Sequence, residues 1–251
     1  MGWLMLKYPK MIIFDYGHTL LHEPGYNTLN GELALFQYIK DNPNNITPEQ
    51  ANDFVKEICR EFEPARKLGY EIHEHTILRY KCECLGLQYT VPFDEAERIL
   101  WNGISPGAVM PGAEEMLDFL AAKQIRTAVI SNIMFSEKAL ADRINRLLPR
   151  NHFEFIITSS EYAIRKPNSQ LFKLALHKAG LDAKDMWYCG DDPQKDVDGA
   201  SQVGIFPVWY DNNTGQEHSG HTDNIKPKSD HLHIHEWNEM TDLLAQLENA
   251  I

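Results

Sequence analysis

The chain has 251 residues, 43% hydrophobic and 24% charged, enough to bury an α/β core with an inserted region and no structural metals or disulfides. A formal net charge of −12 argues against a nucleic-acid partner, because a phosphate backbone is held mainly by clustered Lys and Arg. The opening MGWLMLKYPKMIIF is interrupted by Lys7, Pro9 and Lys10, and no segment approaches the ~18 apolar residues of a membrane span, so neither a signal peptide nor a membrane partner is expected.

In chain order, MIIF (11–14) is a short run, apolar on both faces, that ends at Asp15. Such runs suit the central strands of a parallel sheet. Residues 22–108 read differently, with helical periodicity near 30–41, 48–66, 71–85 and 93–103 and loops at Pro24-Gly25, Pro43, Pro48, Gly69 and Pro92. Four cysteines, Cys59, Cys82, Cys84 and Cys189, lack the second pair of a zinc-type spacing and are expected as free thiols, which fits a reducing cytoplasm.

A helix is expected over 112–124, acidic at its start and apolar at Met116, Phe119 and Leu120. It leads to a second strand, TAVI (127–130), ending at Ser131-Asn132. FEFIITS (153–159) is a third, followed by Lys166 and a helix over 168–180 with an Asn168 cap and a Gly180 stop. MWYC (186–189) runs into Gly190-Asp191-Asp192, a short helix follows over 196–204, and GIFPVW (204–209) is the next strand along. The tail is polar and carries His218, His221, His231, His233 and His235, read as a solvated face rather than a metal site, before a helix near 236–249.

Alternating strands and helices imply a doubly wound, mainly parallel, Rossmann-like α/β sheet. The expected organisation is a discontinuous core of residues 1–21 and 109–251, with a smaller all-helical domain of residues 22–108 inserted after the first strand. In such sheets chemistry gathers outside the carboxyl ends of the strands. Asp15, Ser131-Asn132, Lys166 and Asp191 to Asp196 all fall near those ends.

Taken together, MIIFDYGHTLL, VISN, AIRKP and CGDDPQKDV resemble the four motifs of the haloacid dehalogenase superfamily, in order and over nearly the whole chain. The resemblance implies a Mg2+-dependent hydrolase with a helical cap and a small phosphorylated metabolite as substrate, working as a monomer or homodimer. It makes Asp15 the nucleophile that accepts a phosphoryl group and Thr19 a brace of its loop. Ser131 and Asn132 fall among the phosphate-binding positions, and Lys166 neutralises the nucleophile and the transferring group. Asp15, the Gly17 carbonyl and Asp191 match the metal ligands, with Asp196 ligating directly or through water. Oxygen-only donors of this kind suit magnesium.

The first motif departs from the phosphatase pattern. The second residue after the nucleophile is usually an Asp that protonates the leaving group and then activates water; here it is Gly17. Loss of a positioned acid/base costs ~10²–10⁴ in rate. Three readings follow: a phosphatase with a substitute proton carrier, His18 or a cap residue; a phosphonoacetaldehyde-hydrolase-like enzyme using a cap lysine (Lys40, Lys56, Lys67 or Lys81) as a Schiff base; or a catalytically reduced protein that binds a phosphoryl ligand. Arg60, Arg66 and Arg79 are expected on solvated cap faces.

Overall fold

In the computed structural model, which describes residues 6–212 and 225–249, β1 (Met11–Phe14) leads through a tight loop to β2 (Leu21–His22). The insert comprises α1 (Thr28–Phe36), β3 (Ile39–Asp41), α2 (Pro48–Lys67), α3 (Glu74–Leu85), β4 (Gln88–Tyr89) and α4 (Phe93–Ile104). The chain returns through β5 (Ala108–Val109), which pairs antiparallel with β2, so the two connections to the insert lie side by side. Then come α5 (Ala113–Ala122), β6 (Arg126–Ser131), α6 (Glu137–Leu147), β7 (Phe153–Thr158), the single turn α7 (Ser159–Tyr162) and α8 (Ser169–Ala179). The last third holds β8 (Met186–Gly190), a π-type turn over Pro193–Asp198, α9 (Gly199–Ser201), β9 (Phe206–Tyr210), β10 (Leu232–Ile234) and α10 (Trp237–Glu248).

Six strands form one parallel sheet in the order β10-β9-β8-β1-β6-β7. All four β1 side chains are buried, as two covered faces require. Ile12 and Phe14 pack with Leu120, Leu140, Trp237 and Met240 from α5, α6 and α10. Met11 and Ile13 pack with Leu171, Phe172 and Ala175 of α8. Each face of the sheet thus has its own core, and β1 is pinned between them. No described helix is long and apolar enough to cross a membrane.

The expected strands and the helices over 112–124, 168–180 and 236–249 are present to within a few residues. The stretch 30–41 differs: α1 stops at Phe36, and Ile39–Asp41 pairs antiparallel with Gln88–Tyr89. That partner lies in a distant part of the chain, so local periodicity does not report it. Two further elements lay hidden in polar sequence. α6 is dense in charge yet buries Ala139, Leu140, Arg143 and Ile144 on one side. β10 alternates Leu232 and Ile234 inward with His233 outward, within a tract read as polar tail. His218 and His221 lie outside the described residues.

Polar groups as well as apolar ones are buried in the insert. Lys81 is fully buried and bonds both carboxylate oxygens of Glu32 at 2.7 and 2.9 Å. Glu74, at the start of α3, is buried nearby, and its carboxyl is pushed up to about 7 by burial, with Glu97 and Glu32 adding to the shift against Lys81. An unfolded carboxyl titrates near 4.5, so between about pH 4.5 and pH 7 the folded chain holds more protons than the unfolded one. The contribution of Glu74 to stability is therefore highest below that window and falls as pH rises through it. Glu74→Gln is expected to raise stability at about pH 8 by up to a few kcal/mol and to leave it unchanged near pH 4, as urea unfolding at the two pH values checks.

Candidate active site

Asp15 follows β1, and Gly190 ends the neighbouring β8, with Phe14 in register with Cys189. The two strands therefore deliver Asp15 and Asp191 side by side at the carboxyl edge of the sheet. Gly190 is required by space: a Cβ there would lie 2.4 Å from the carboxyl of Asp196. Asp192 caps the turn that follows by accepting from the backbone N–H groups of Gln194 and Lys195, each at 2.9 Å. That turn brings Asp196 back beneath the strand end, where its Oδ2 accepts from the Asp192 N–H at 3.0 Å. Carboxylate oxygens of Asp15, Asp191 and Asp196 lie within 4.8 Å of one another.

Lys166 holds this acidic group together. Its buried ammonium lies 2.6 Å from Asp15 Oδ1 and 2.6 Å from Asp196 Oδ1, and it also reaches Tyr188 Oη at 2.8 Å and the Ile130 carbonyl at 3.1 Å. Burial alone would lower the lysine's pKa, but Asp15 and Asp196 outweigh it and hold the proton firmly. One ammonium cannot offset all the carboxylates. Burial raises Asp15, and the charge of Asp191 adds to the rise; burial likewise pushes Asp196 up to about 6. A divalent cation among these oxygens would relieve both, and an all-oxygen donor set suits magnesium.

The remaining sequence-predicted residues divide. Asp15, Gly17, His18, Ser131, Asn132, Lys166, Asp191 and Asp196 line one cleft. Asn132 spends its amide on the backbone of Lys166, accepting from its N–H at 2.7 Å and donating to its carbonyl at 3.0 Å. It therefore positions the lysine. Thr19 is fully buried, off the cleft wall, and its hydroxyl has no hydrogen-bond partner among the described residues. His18 adopts the left-handed conformation (φ 53°), and its carbonyl accepts from Asn212 at 2.6 Å. Gly17 does not need to be glycine for space: a Cβ there meets nothing within 4 Å.

The insert supplies a wall that the motifs did not announce. Glu23, Tyr26, Arg66 and Trp101 line the cleft with Arg165 and Phe135 of the core. Arg66, expected on a solvated face, faces the cleft, whereas Arg60 and Arg79 are exposed. Arg66 and Arg165 share buried Glu71, which Arg66 Nε approaches to 3.3 Å. Trp101 stacks on Phe135 (4.2 Å, 6°) and lies beneath the Arg143 guanidinium at 3.9 Å. Arg143 in turn holds Glu23 at 2.7 Å. Arg165 directly precedes Lys166, so its place was signalled by chain position alone; the wall from the insert carried no such signal. The cleft's lysines, Lys166 and Lys195, both come from the core, and the insert's Lys81 is sealed against Glu32.

Comparison with known proteins gives a consistent result. A model of the haloacid dehalogenase-like hydrolase family matches residues 9–204. The chain is similar to a glyceraldehyde 3-phosphate phosphatase of Methanocaldococcus jannaschii, 32% identical over 79% of this chain and 83% of that one. A phosphoserine phosphatase of Thermus thermophilus is 41% identical over 61 residues, a stretch spanning 24% of either chain. Among solved structures, a phosphatase of the same superfamily from Thermococcus onnurineus superposes with a TM-score of 0.62 at 16% identity, covering 93% of this chain and 97% of that one. At that identity the likeness shows the fold.

Removing the shared cation tests this electrostatic account. Lys166→Met leaves Asp15 and Asp196 buried without their ammonium, and breaking a buried pair this way costs about 3–5 kcal/mol. The loss in the metal-free protein is expected to be larger near pH 8 than near pH 5, where the acids escape the cost by taking up protons. Urea unfolding at both pH values measures the difference.

Proposed function

The chain belongs to the haloacid dehalogenase-like hydrolase family, and we propose that it acts there as a Mg2+-dependent phosphatase on a small phosphorylated metabolite. The observation that carries this reading is the convergence of Asp15, Asp191 and Asp196 around the Lys166 ammonium, with Ser131 on the same cleft wall. In this reading Asp15, the Gly17 carbonyl and Asp191 would hold the ion, with Asp196, whose two oxygens already accept hydrogen bonds, in a supporting place. Bound magnesium supplies charge neutralisation between the acids and the phosphoryl oxygens.

An Asp15 oxygen attacks phosphorus, the bond to the ester oxygen breaks, and the phosphoryl group is left on the carboxylate. Lys166 and Ser131 offset the charge on the phosphoryl oxygens. Water then attacks phosphorus, releasing phosphate and restoring Asp15. The insert, residues 22–108, serves as the cap that excludes water and selects substrate through Glu23, Tyr26, Arg66 and Trp101.

The proton needed by the departing oxygen is the distinctive problem. Gly17 offers none, and Glu23 is engaged as the acceptor of Tyr16 and Arg143. His18, on the cleft wall, is the substitute carrier in this reading. The Schiff-base alternative loses support because Lys81 is fully buried in an ion pair and no insert lysine lines the cleft.

With His18 standing in for the usual Asp, protonation of the departing oxygen is the weak step of this reading, so rate should depend steeply on the leaving group. Magnesium-dependent phosphate release is expected to be much faster from p-nitrophenyl phosphate than from alkyl phosphates, and absent in Asp15→Asn. Gly17→Asp fits the open space at that position and is expected to raise turnover of alkyl phosphates, by less than the ~10²–10⁴ that a wholly missing acid would cost. If p-nitrophenyl phosphate and a broad ester panel release no phosphate even in Gly17→Asp, the phosphatase reading fails. If only the variant is active, the natural protein is a phosphoryl-ligand binder.

Arg66 and Arg165 line the cleft around buried Glu71, with Glu63 a looser partner of Arg66 at 4.0 Å, so their guanidinium groups stand where a second anionic group on the substrate could reach them. Arg66→Ala is expected to raise KM for phosphate esters that also carry a carboxylate or second phosphate. It should leave KM for p-nitrophenyl phosphate nearly unchanged, as steady-state kinetics on the two classes would record.

A further inference from the structure

A second set of metal-type donors stands along the same carboxyl edge, on the two outer strands beyond β8. β9 and β10 run parallel, with His233 opposite Trp209 and Ile234 opposite Tyr210. Asp211 continues this pairing, its N–H donating to the Ile234 carbonyl at 2.8 Å, which brings it alongside His235. One donor atom from each of Asp211, His233 and His235 lies within 4.8 Å of the others. His233 Nε2 is 3.0 Å from Asp211 Oδ2.

Both rings are held before any ion arrives. His235 Nδ1 lies 2.7 Å from the Asp211 carbonyl. A carbonyl only accepts, so Nδ1 carries the ring proton and Nε2 keeps its lone pair. Hydrogen bonds of this kind are the usual device that orients a metal-binding histidine. The His233 ring lies flat on Trp209, with centroids 4.2 Å apart at 17°. Asp211 and His233 remain partly exposed, so an ion has a route in and room for water ligands.

We propose that Asp211, His233 and His235 form a binding site for a zinc-type divalent transition-metal ion, separate from the acidic cleft. The donor chemistry distinguishes the two places. The cleft offers only oxygen, which suits magnesium; two imidazoles and a carboxylate suit zinc, cobalt, nickel or copper. Period-two alternation puts His233 and His235 on one side of the strand, and the neighbouring strand supplies the carboxylate. The site adjoins the cleft, since Trp209, which stacks on His233, donates from Nε1 to the Asp191 carbonyl at 3.0 Å, but the two donor sets have no residue in common.

The test is calorimetric titration of the chelator-treated full chain with Zn2+, in excess Mg2+ to occupy the oxygen site. One equivalent is expected to bind, with affinity falling by at least about 10–100-fold in His233→Gln, His235→Gln and Asp211→Asn. Circular dichroism melts check that each variant folds. Cu2+ on the unmodified protein should show nitrogen hyperfine splitting in its electron paramagnetic resonance spectrum, lost in the His233→Gln/His235→Gln variant. Zn2+ binding of equal strength in that double variant, or no Zn2+ binding by the unmodified chain, overturns the proposal. Neither result depends on phosphatase activity.

Discussion

The sharing of one buried ammonium, that of Lys166, among acids at the ends of β1 and β8 is the constraint around which the core is arranged. Every nearby feature serves to place or tolerate that charge. The two cores flanking the sheet fix β1 against β8, so Asp15 and Gly190 leave it at the same level. Gly190 makes room for Asp196, and Tyr188 gives the lysine a further acceptor from beneath. Asn132 clamps the lysine's backbone at both its N–H and its carbonyl. A long flexible side chain is thereby made rigid, and its entropy is lost in folding rather than when a ligand binds.

The parts of this arrangement visible in the sequence are those encoded locally. Short apolar runs that end at small or acidic residues suit covered strands, and MIIF, TAVI and MWYC are buried throughout. The strand-end acids and Lys166 follow from those runs by position. Elements defined by distant partners were not legible. The β3–β4 pairing joins segments on either side of α2 and α3, and β10 becomes a strand by lying against β9. Arg66 was indistinguishable from Arg60 and Arg79 on one amphipathic pattern; a buried Glu71 from the loop before α3 draws it to the cleft.

The contact between insert and core is built largely from charge. Glu97 of α4, held within the insert by His75 at 2.9 Å, accepts from the Ser136 backbone of the core at 3.1 Å. Arg143 of α6 reaches Glu23 and the Ser105 carbonyl, while Glu71 receives Ser159 and Arg165 from the core. Such a surface is specific in docking, since each buried charge needs its partner. It also tolerates separation better than an apolar one, because water can take over every bond that is broken. Apolar contact is made as well: Trp101 stacks on Phe135 at the cleft wall and meets Tyr16 edge-on at 5.9 Å.

The innermost group of the cleft has three carboxylates, Asp15, Asp191 and Asp196, against the one ammonium of Lys166. A phosphate dianion approaching that group without a metal meets net negative charge at short range, in a buried setting where screening is weak. Burial is the main reason that Asp15 and Asp196 hold protons more tightly than usual, and the neighbouring carboxylates add to it. A divalent cation would bring that sum to zero, so the repulsion that a phosphate meets at the bare group would be lifted when the group is loaded. Metal and phosphoryl ligand must then strengthen each other's binding by the same factor, because linkage between two sites is reciprocal. Lys166 alone can hold the acids together, but one ammonium leaves two of the three carboxylate charges unbalanced, and a divalent ion is what would cancel them.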